Sequence, residues 1–365
     1  MGKSMVKSLV CVVMILVSLS FGQYEKILFL HHSTGRNLVY QGHVRDSIEA
    51  YNVAHGDSLE FWDQDYNGAH SLTDHHGGRH PSYDILNNDT YPSGFLWLFR
   101  QELDTISPSN TFSHFMADFD VFAFKSCFPA CQILPDDTAA DLADSSRKSL
   151  FNYFRIYRRI RAKCDSIPTR VFVPLTPSPL DPSATNPEQA AHARHFATWL
   201  AETFLVEDGL EHPNIFVFDF FDLLADSDNV LRSEYRRGGG DSHPNRRANE
   251  TIGPIFARFL IEVVRTYRER TSVEQKPIRT NAPFVFVAPN PFNEVCEVIT
   301  QRLPGREIRI SIFDINGKFV AKLKPSYSRS WVRASWNASG CKTGIYFVVA
   351  DFGFTRVSKK VLFVK

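Results

Sequence analysis

Residues 26–35 read Lys26-Ile27-Leu28-Phe29-Leu30-His31-His32-Ser33-Thr34-Gly35, and chemistry starts where their apolar run stops. The run 27–30 has strand character and breaks abruptly into two histidines, a serine and then a glycine. In an open α/β sheet, ligands bind just outside the carboxyl ends of the strands, so Ser33 stands where such a sheet delivers a nucleophile. A second stretch late in the same region answers it: Gly240-Asp241-Ser242-His243-Pro244-Asn245. Serine early with aspartate and histidine late is one of the chain orders in which a nucleophile, its base and an orienting acid assemble.

Working outward, short apolar runs at 27–30, 121–124, 171–175 and 215–218 read as strands. Between them, 145–164 and 188–205 carry apolar residues at helical spacing, and 248–267 closes the region as a helix. Strands alternating with helices predict a mostly parallel sheet covered on both faces, and about 250 residues suit one domain. All four strands run into polar residues: His31, His32 and Ser33, then Lys125, Ser126 and Cys127, then Thr176 and Ser178, then Asp219 and Asp222. A parallel sheet gathers these along one edge.

A polar, proline-bearing linker at 271–283 separates this domain (23–270) from an all-β region at 284–365. There, short runs at 297–300, 308–313, 319–323, 331–336, 345–351 and 358–364 alternate with turns, among them Asp314-Ile315-Asn316-Gly317. Strands at this spacing predict a small immunoglobulin-like sandwich.

Residues 1–22 read as a signal peptide. Lys3 and Lys7 form its basic start, 9–19 its apolar core, and Ser20 and Gly22 the cleavage signal before Gln23. No later segment is long and apolar enough to span a membrane. The mature chain is therefore expected to be exported. Five cysteines remain after residue 22 (Cys127, Cys131, Cys164, Cys296, Cys341), an odd number for an oxidising compartment. Cys296 with Cys341 is one candidate pair, and Cys127 with Cys131 another if the backbone allows it. A formal net charge of +1 offers no basic excess for nucleic acid. The 31 phenylalanines among 365 residues point to well-filled cores rather than a disordered chain.

The C-terminal region resembles the sorting domain of the type IX secretion system of Gram-negative bacteria. The residues that carry the likeness are Pro289-Asn290-Pro291-Phe292-Asn293, Ile312-Phe313-Asp314-Ile315-Asn316-Gly317-Lys318, Gly344-Ile345-Tyr346-Phe347 and the basic exit Ser358-Lys359-Lys360. The resemblance implies export through the periplasm, with the outer-membrane machinery as partner, to the cell surface or beyond.

The first domain resembles the SGNH/GDSL hydrolases, a flavodoxin-like family of esterases, lipases and carbohydrate deacetylases. The likeness runs over residues 25–265. Ser33 falls at the family's nucleophile, with Gly35 opening the next turn. Asn67 and Gly68 match the second block, whose glycine amide helps form the oxyanion hole. Asp241, His243, Pro244 and Asn245 match the last block, which supplies base and acid. There are departures. His31-His32 replaces Gly-Asp before the serine, and Lys125-Ser126-Cys127 stands where Gly-x-Asn-Asp is expected. The acid lies two residues before the histidine rather than three, a spacing shared with related alginate-type O-acetyltransferases.

The resemblance implies a secreted serine esterase without a cofactor, removing O-acyl groups from carbohydrate. Ser33, His243 and Asp241 would be catalytic, while Gly68, Asn67, Lys125, Ser126 and His32 would line the oxyanion and substrate site. An O-acetyltransferase and a non-catalytic carbohydrate-binding surface protein are the alternative expectations. Should the Asp-x-His spacing be too short, Asp219 and Asp222 are fallback acids.

Simpler roles exist for the same residues. A serine after a strand commonly caps the next helix, Asp241 suits a turn, and His243 suits a cap before residue 248. The histidine-rich run 70–80 lacks metal-ligand spacing and reads as a solvated loop or substrate rim. Asn87-Asn88-Asp89-Thr90 is a polar turn with oxygen donors of the kind calcium takes, although no ligand set is assigned. Cys127 is either a rival nucleophile served by His243 or an inert thiol.

Overall fold

The computed structural model describes residues 26–65, 72–80, 91–100, 112–272, 283–303, 305–328 and 330–365. The signal peptide, most of the linker, Asn67, Gly68 and residues 87–90 lie outside them. In chain order the first region runs β1 (Lys26–His31), α1 (Ser33–Gln41), α2 (Val44–His55), β2 (Glu60–Asp65), β3 (Leu72–Thr73), β4 (Arg79–His80), α3 (Pro92–Arg100) and α4 (Phe112–Asp118). It continues with β5 (Val121–Lys125), α5 (Thr138–Ala143), α6 (Leu150–Asp165), β6 (Val171–Leu175), α7 (Pro187–Thr198), α8 (Phe220–Leu224) and α9 (Arg246–Ser272).

These strands form one sheet in the order β4-β3-β2-β1-β5-β6, with β2, β1, β5 and β6 parallel and β3 and β4 an antiparallel extension. Alternation along the strands sorts side chains to two faces. Leu28, Leu30, Phe122, Phe124 and Phe172 pack with Phe95, Phe99, Tyr153 and Phe196, from α3, α6 and α7. Ile27, Phe29, Val121, Ala123 and Val173 pack with Leu38, Ile48, Ile252 and Phe256, from α1, α2 and α9. Both faces are covered, as expected.

Two differences from the sequence reading have clear causes. The strand β2 was not expected because Asp63 and Gln64 interrupt its apolar character. Asp63 is nevertheless buried, since His31 Nε2 meets it at 2.7 Å and Arg45 donates to its other oxygen. Residues 215–218, expected as a full strand, pair with β6 only through isolated bridges. The amides of Phe172 and Thr176 donate to Asn214 O (2.8 Å) and Phe218 O (3.1 Å). Pro174, between them, has no N–H to make the middle bond. Helix boundaries also move. α6 starts at Leu150 because Ser149 caps it, its hydroxyl accepting from the Asn152 amide.

The C-terminal region adds β7 (Phe286–Ala288), β8 (Val295–Gln301), β9 (Arg309–Asp314), β10 (Phe319–Leu323), β11 (Ser326–Tyr327), β12 (Trp331–Asn337), β13 (Gly344–Asp351) and β14 (Arg356–Phe363). They form two antiparallel sheets, β10-β9-β13-β14 and β11-β12-β8-β7, around a core that includes Phe292, Val298, Ile310, Trp336, Val348 and Phe363. The expected turn at 314–317 joins β9 and β10. Asp314 Oδ1 accepts from the amides of Asn316 and Lys318, and Gly317 takes the positive φ (77°) that the turn needs.

Candidate active site

Ser33 is the first residue of α1, and the cap position is taken by His32 in extended backbone rather than by the serine. This leaves the Ser33 hydroxyl for tertiary contacts. Its Oγ lies 2.9 Å from His243 Nε2. The other ring nitrogen, Nδ1, lies 2.5 Å from Asp241 Oδ1. An aspartate accepts, so Nδ1 carries the proton and Nε2 of the neutral ring accepts from Ser33. The short Asp-x-His spacing is closed by a local turn in which Asp241 Oδ1 also accepts from the His243 amide at 2.9 Å. Asp241 is thus a turn residue and the partner of the imidazole at once. Burial opposes its ionisation, but the His243 amide and ring, with Arg237 nearby, hold its carboxyl below the ordinary range.

The loop that carries the pair is fixed at several points. Gly238, Gly239 and Gly240 all have positive φ (88°, 65° and 78°), a backbone path open to three successive residues only because they lack side chains. Ser242 Oγ accepts from the Asp181 amide at 3.0 Å. Asn245, not His243, caps α9, its Oδ1 accepting from the Ala248 amide at 3.0 Å. The Asn245 side-chain amide also donates to the carbonyls of Glu234 and Arg236. Phe128 packs against the His243 ring, with centroids 4.9 Å apart at 78°.

α1 itself is pinned against α9. The backbones at Gly42 and Gly253 approach so closely that a Cβ at Gly253 would come within 2.1 Å of Gly42 O. Asn249 Nδ2 donates to Gln41 Oε1 at 2.8 Å beside that contact. Gly35 lies within the first turn of α1, where a Cβ would come within 2.4 Å of His31 Cβ. Its role is close packing on β1 rather than turn geometry.

The end of β5 brings a second set of groups under the serine. Lys125 is fully buried, and its Nζ donates to Thr34 Oγ1 and, at 2.8 Å, to the Ser126 carbonyl. Burial lowers its pKa to about 8, against the pull of neighbouring acidic groups. Cys127 Sγ lies 3.3 Å from Ser33 Oγ, whose proton is committed to His243, so the thiol donates to the serine oxygen. Thr34 was not foreseen as part of this set, whereas Cys127 was expected on this sheet edge from the run Lys125-Ser126-Cys127 after a strand. His32 is buried in the same place. Burial, then Lys125, His31 and His243, lower its pKa to about 4 against the opposing pull of Asp65.

Other sequence candidates go elsewhere. Thr176 Oγ1 donates to Asp219 at 3.0 Å, and both Asp219 and Asp222 face the C-terminal sandwich, where Ser330 and Ser328 donate to them. Burial and the Asp222 charge push Asp219 up to about 6. With Asp241 on the His243 ring, these are not its acids. In the 70–80 run, the rings of His75 and His80 are tied to Glu49 and Asp74, and His70 lies outside the described residues. Among the described residues no cluster has a metal-ligand arrangement. All five described cysteines are free, so neither candidate disulfide forms.

Residues 286–365 match the family model of the secretion system C-terminal sorting domain, and this region is a type IX sorting domain. It implies interaction with the type IX machinery and a secreted or cell-surface protein of a Bacteroidetes-type bacterium. No described helix is long and apolar enough to cross a membrane. No curated protein matches the chain. Among solved structures, an engineered protein determined at 1.98 Å is 13% identical over 91% of this chain, with a TM-score of 0.21. The chain spans 60% of that protein's length.

Proposed function

We propose that the first domain is a serine esterase of SGNH type, with a flavodoxin-like sheet, that removes O-acyl groups from carbohydrate through an acyl-enzyme. The observation that carries this reading is the chain of contacts from Ser33 Oγ to His243 Nε2 (2.9 Å) and from His243 Nδ1 to Asp241 Oδ1 (2.5 Å). The parallel strand order β2-β1-β5-β6, continued by the bridges to residues 215–218, supports the flavodoxin-like assignment. The carbohydrate substrate rests on the resemblance to deacetylases and on the export address.

In this mechanism His243 takes the Ser33 proton as Oγ attacks the ester carbonyl. The imidazolium then gives that proton to the departing sugar oxygen, leaving Ser33 acylated. Water, activated by the same ring, hydrolyses the acyl-enzyme and restores the serine. Asp241 fixes the tautomer and stabilises the imidazolium. The oxyanion is served by the backbone amide of Ser33 at the first position of α1, since the Gly35 and Arg36 amides already donate to the His32 carbonyl. The Lys125 charge beneath Thr34 adds to the same field, where the family's asparagine is missing. The C-terminal sandwich is read here as immunoglobulin-like, serving export across the outer membrane after passage through the periplasm.

A fluorophosphonate probe tests the scheme on the full chain. It should label Ser33 in the wild type and fail to label His243→Ala. Turnover of aryl acetates or acetylated sugars should vanish in Ser33→Ala. Unchanged activity in that variant rejects the reading and turns attention to Cys127. Acyl transfer to a sugar acceptor faster than hydrolysis would identify an O-acetyltransferase built on the same pair.

A further inference from the structure

The sorting sandwich is seated on the first domain through a directional interface. Trp331, at the start of β12, is buried in the core of the first domain rather than in that of the sandwich, 6.2 Å from the ring of Phe218. Ile299 of β8 is buried in the same cluster. Around this apolar centre, hydrogen bonds run one way. Ser330 Oγ donates to Asp219 Oδ2 at 2.7 Å and Ser328 Oγ to Asp222 Oδ2 at 2.5 Å. Trp331 Nε1 donates to Asp219 O at 3.3 Å, and Arg333 donates to Leu223 O. Four side chains of the sandwich are thus donors, and one short segment, 219–223, supplies their acceptors. At the edge, Tyr235 OH donates to Glu297 Oε2 at 3.4 Å.

We propose that Phe218, Asp219, Asp222 and Leu223 form a docking socket for the chain's own sorting domain. This socket holds the sandwich without help from the connecting chain, so the two remain a one-to-one complex when residues 273–282 are cut. A buried tryptophan ringed by satisfied hydrogen bonds is the usual anatomy of an interface hot spot. The tether adds only effective concentration to such a contact. Separation would take Ser330 and Ser328 from one oxygen each of Asp219 and Asp222, while Thr176 and Arg194 keep the other oxygens, and would take Arg333 from Leu223 O, so docking is specific as well as apolar.

The test inserts a protease site within 273–282 of the full-length protein and cuts it after folding. The fragments should co-elute at micromolar concentration with the mass of one chain. Trp331→Ala and Ser330→Glu should each weaken retention, the former by about 30-fold or more, as expected for a hot-spot aromatic. Ser330→Glu sets a third carboxylate against Asp219 and Asp222 without touching the sandwich core, so it keeps the test valid if Trp331→Ala perturbs folding. Fragments that separate in the wild type overturn the proposal. So do equal retention in both variants and a two-to-two mass, which would mean exchange between copies.

Discussion

Ser33 and His243 are 210 residues apart, and their contact is the smallest unit on which the functional reading depends. Ser33→Ala deletes one hydroxyl at a helix start and should leave the melting temperature nearly unchanged while abolishing turnover. His243→Ala should lose about as much activity, because the members of such a unit act together. Asp241→Asn should cost on the order of 10⁴ in kcat, as expected when the imidazole tautomer is no longer fixed. Lys125 gives the sharpest pH test. With its pKa lowered to about 8 by burial, the charge under Thr34 is present at neutral pH and lost above that value. The rate should therefore fall through an alkaline limb near pH 8. Stability should move the other way. Between about pH 8 and the ordinary lysine range, the unfolded chain binds more protons than the folded one, so folding becomes more favourable as pH rises. Lys125→Met should remove both trends, as read by a pH–rate profile and by denaturant melts at matched pH. A rate that keeps its limb in that variant assigns the limb to another group.

At the level of elements, the site exists because α1 and α9 cross at a glycine–glycine contact. Gly253→Ala places a methyl against Gly42 backbone, which has no side chain to rotate away. It should destabilise by about 1–3 kcal/mol, the usual cost of overpacking. It should also lower kcat more than it raises KM, since α1 carries the nucleophile. A melt and a steady-state assay check both, and an unchanged kcat means that α1 positions Ser33 without α9. The elements themselves were unevenly legible. β1, β5, β6, α7 and α9 stand out as apolar runs or helical periods in the primary structure. β2 does not, because its buried Asp63 is compensated by His31 and Arg45, residues outside the strand. The ladder at 215–218 was over-read for the opposite reason: its apolar pattern is sound, but the donor it needs is absent at Pro174.

Over the whole molecule, the two regions meet where Trp331, Ser328, Ser330 and Arg333 contact residues 218–223. A chain ending before residue 283 should stay in the periplasm of a type IX-competent host, as measured by cell fractionation. Normal arrival at the surface would show that the last 83 residues are not the export signal. The shortened chain should fold with a lower Tm, because the apolar face at Phe218 and the carboxylates of Asp219 and Asp222 lose the sandwich. The sequence by itself determined the alternation of strands and helices, the turn-punctuated sandwich and its sorting motif, and it marked Ser33 and the Asp-x-His element as candidates. Each of these is written in local periodicity or in a short motif, so no distant residue is needed to read it. Only the tertiary structure decided what Asp219 and Asp222 serve, why Lys125 is buried, and which thiol lies beside the nucleophile. Those outcomes depend on which surfaces meet, and the partners that satisfy a buried charge lie 91–111 residues away, on other elements.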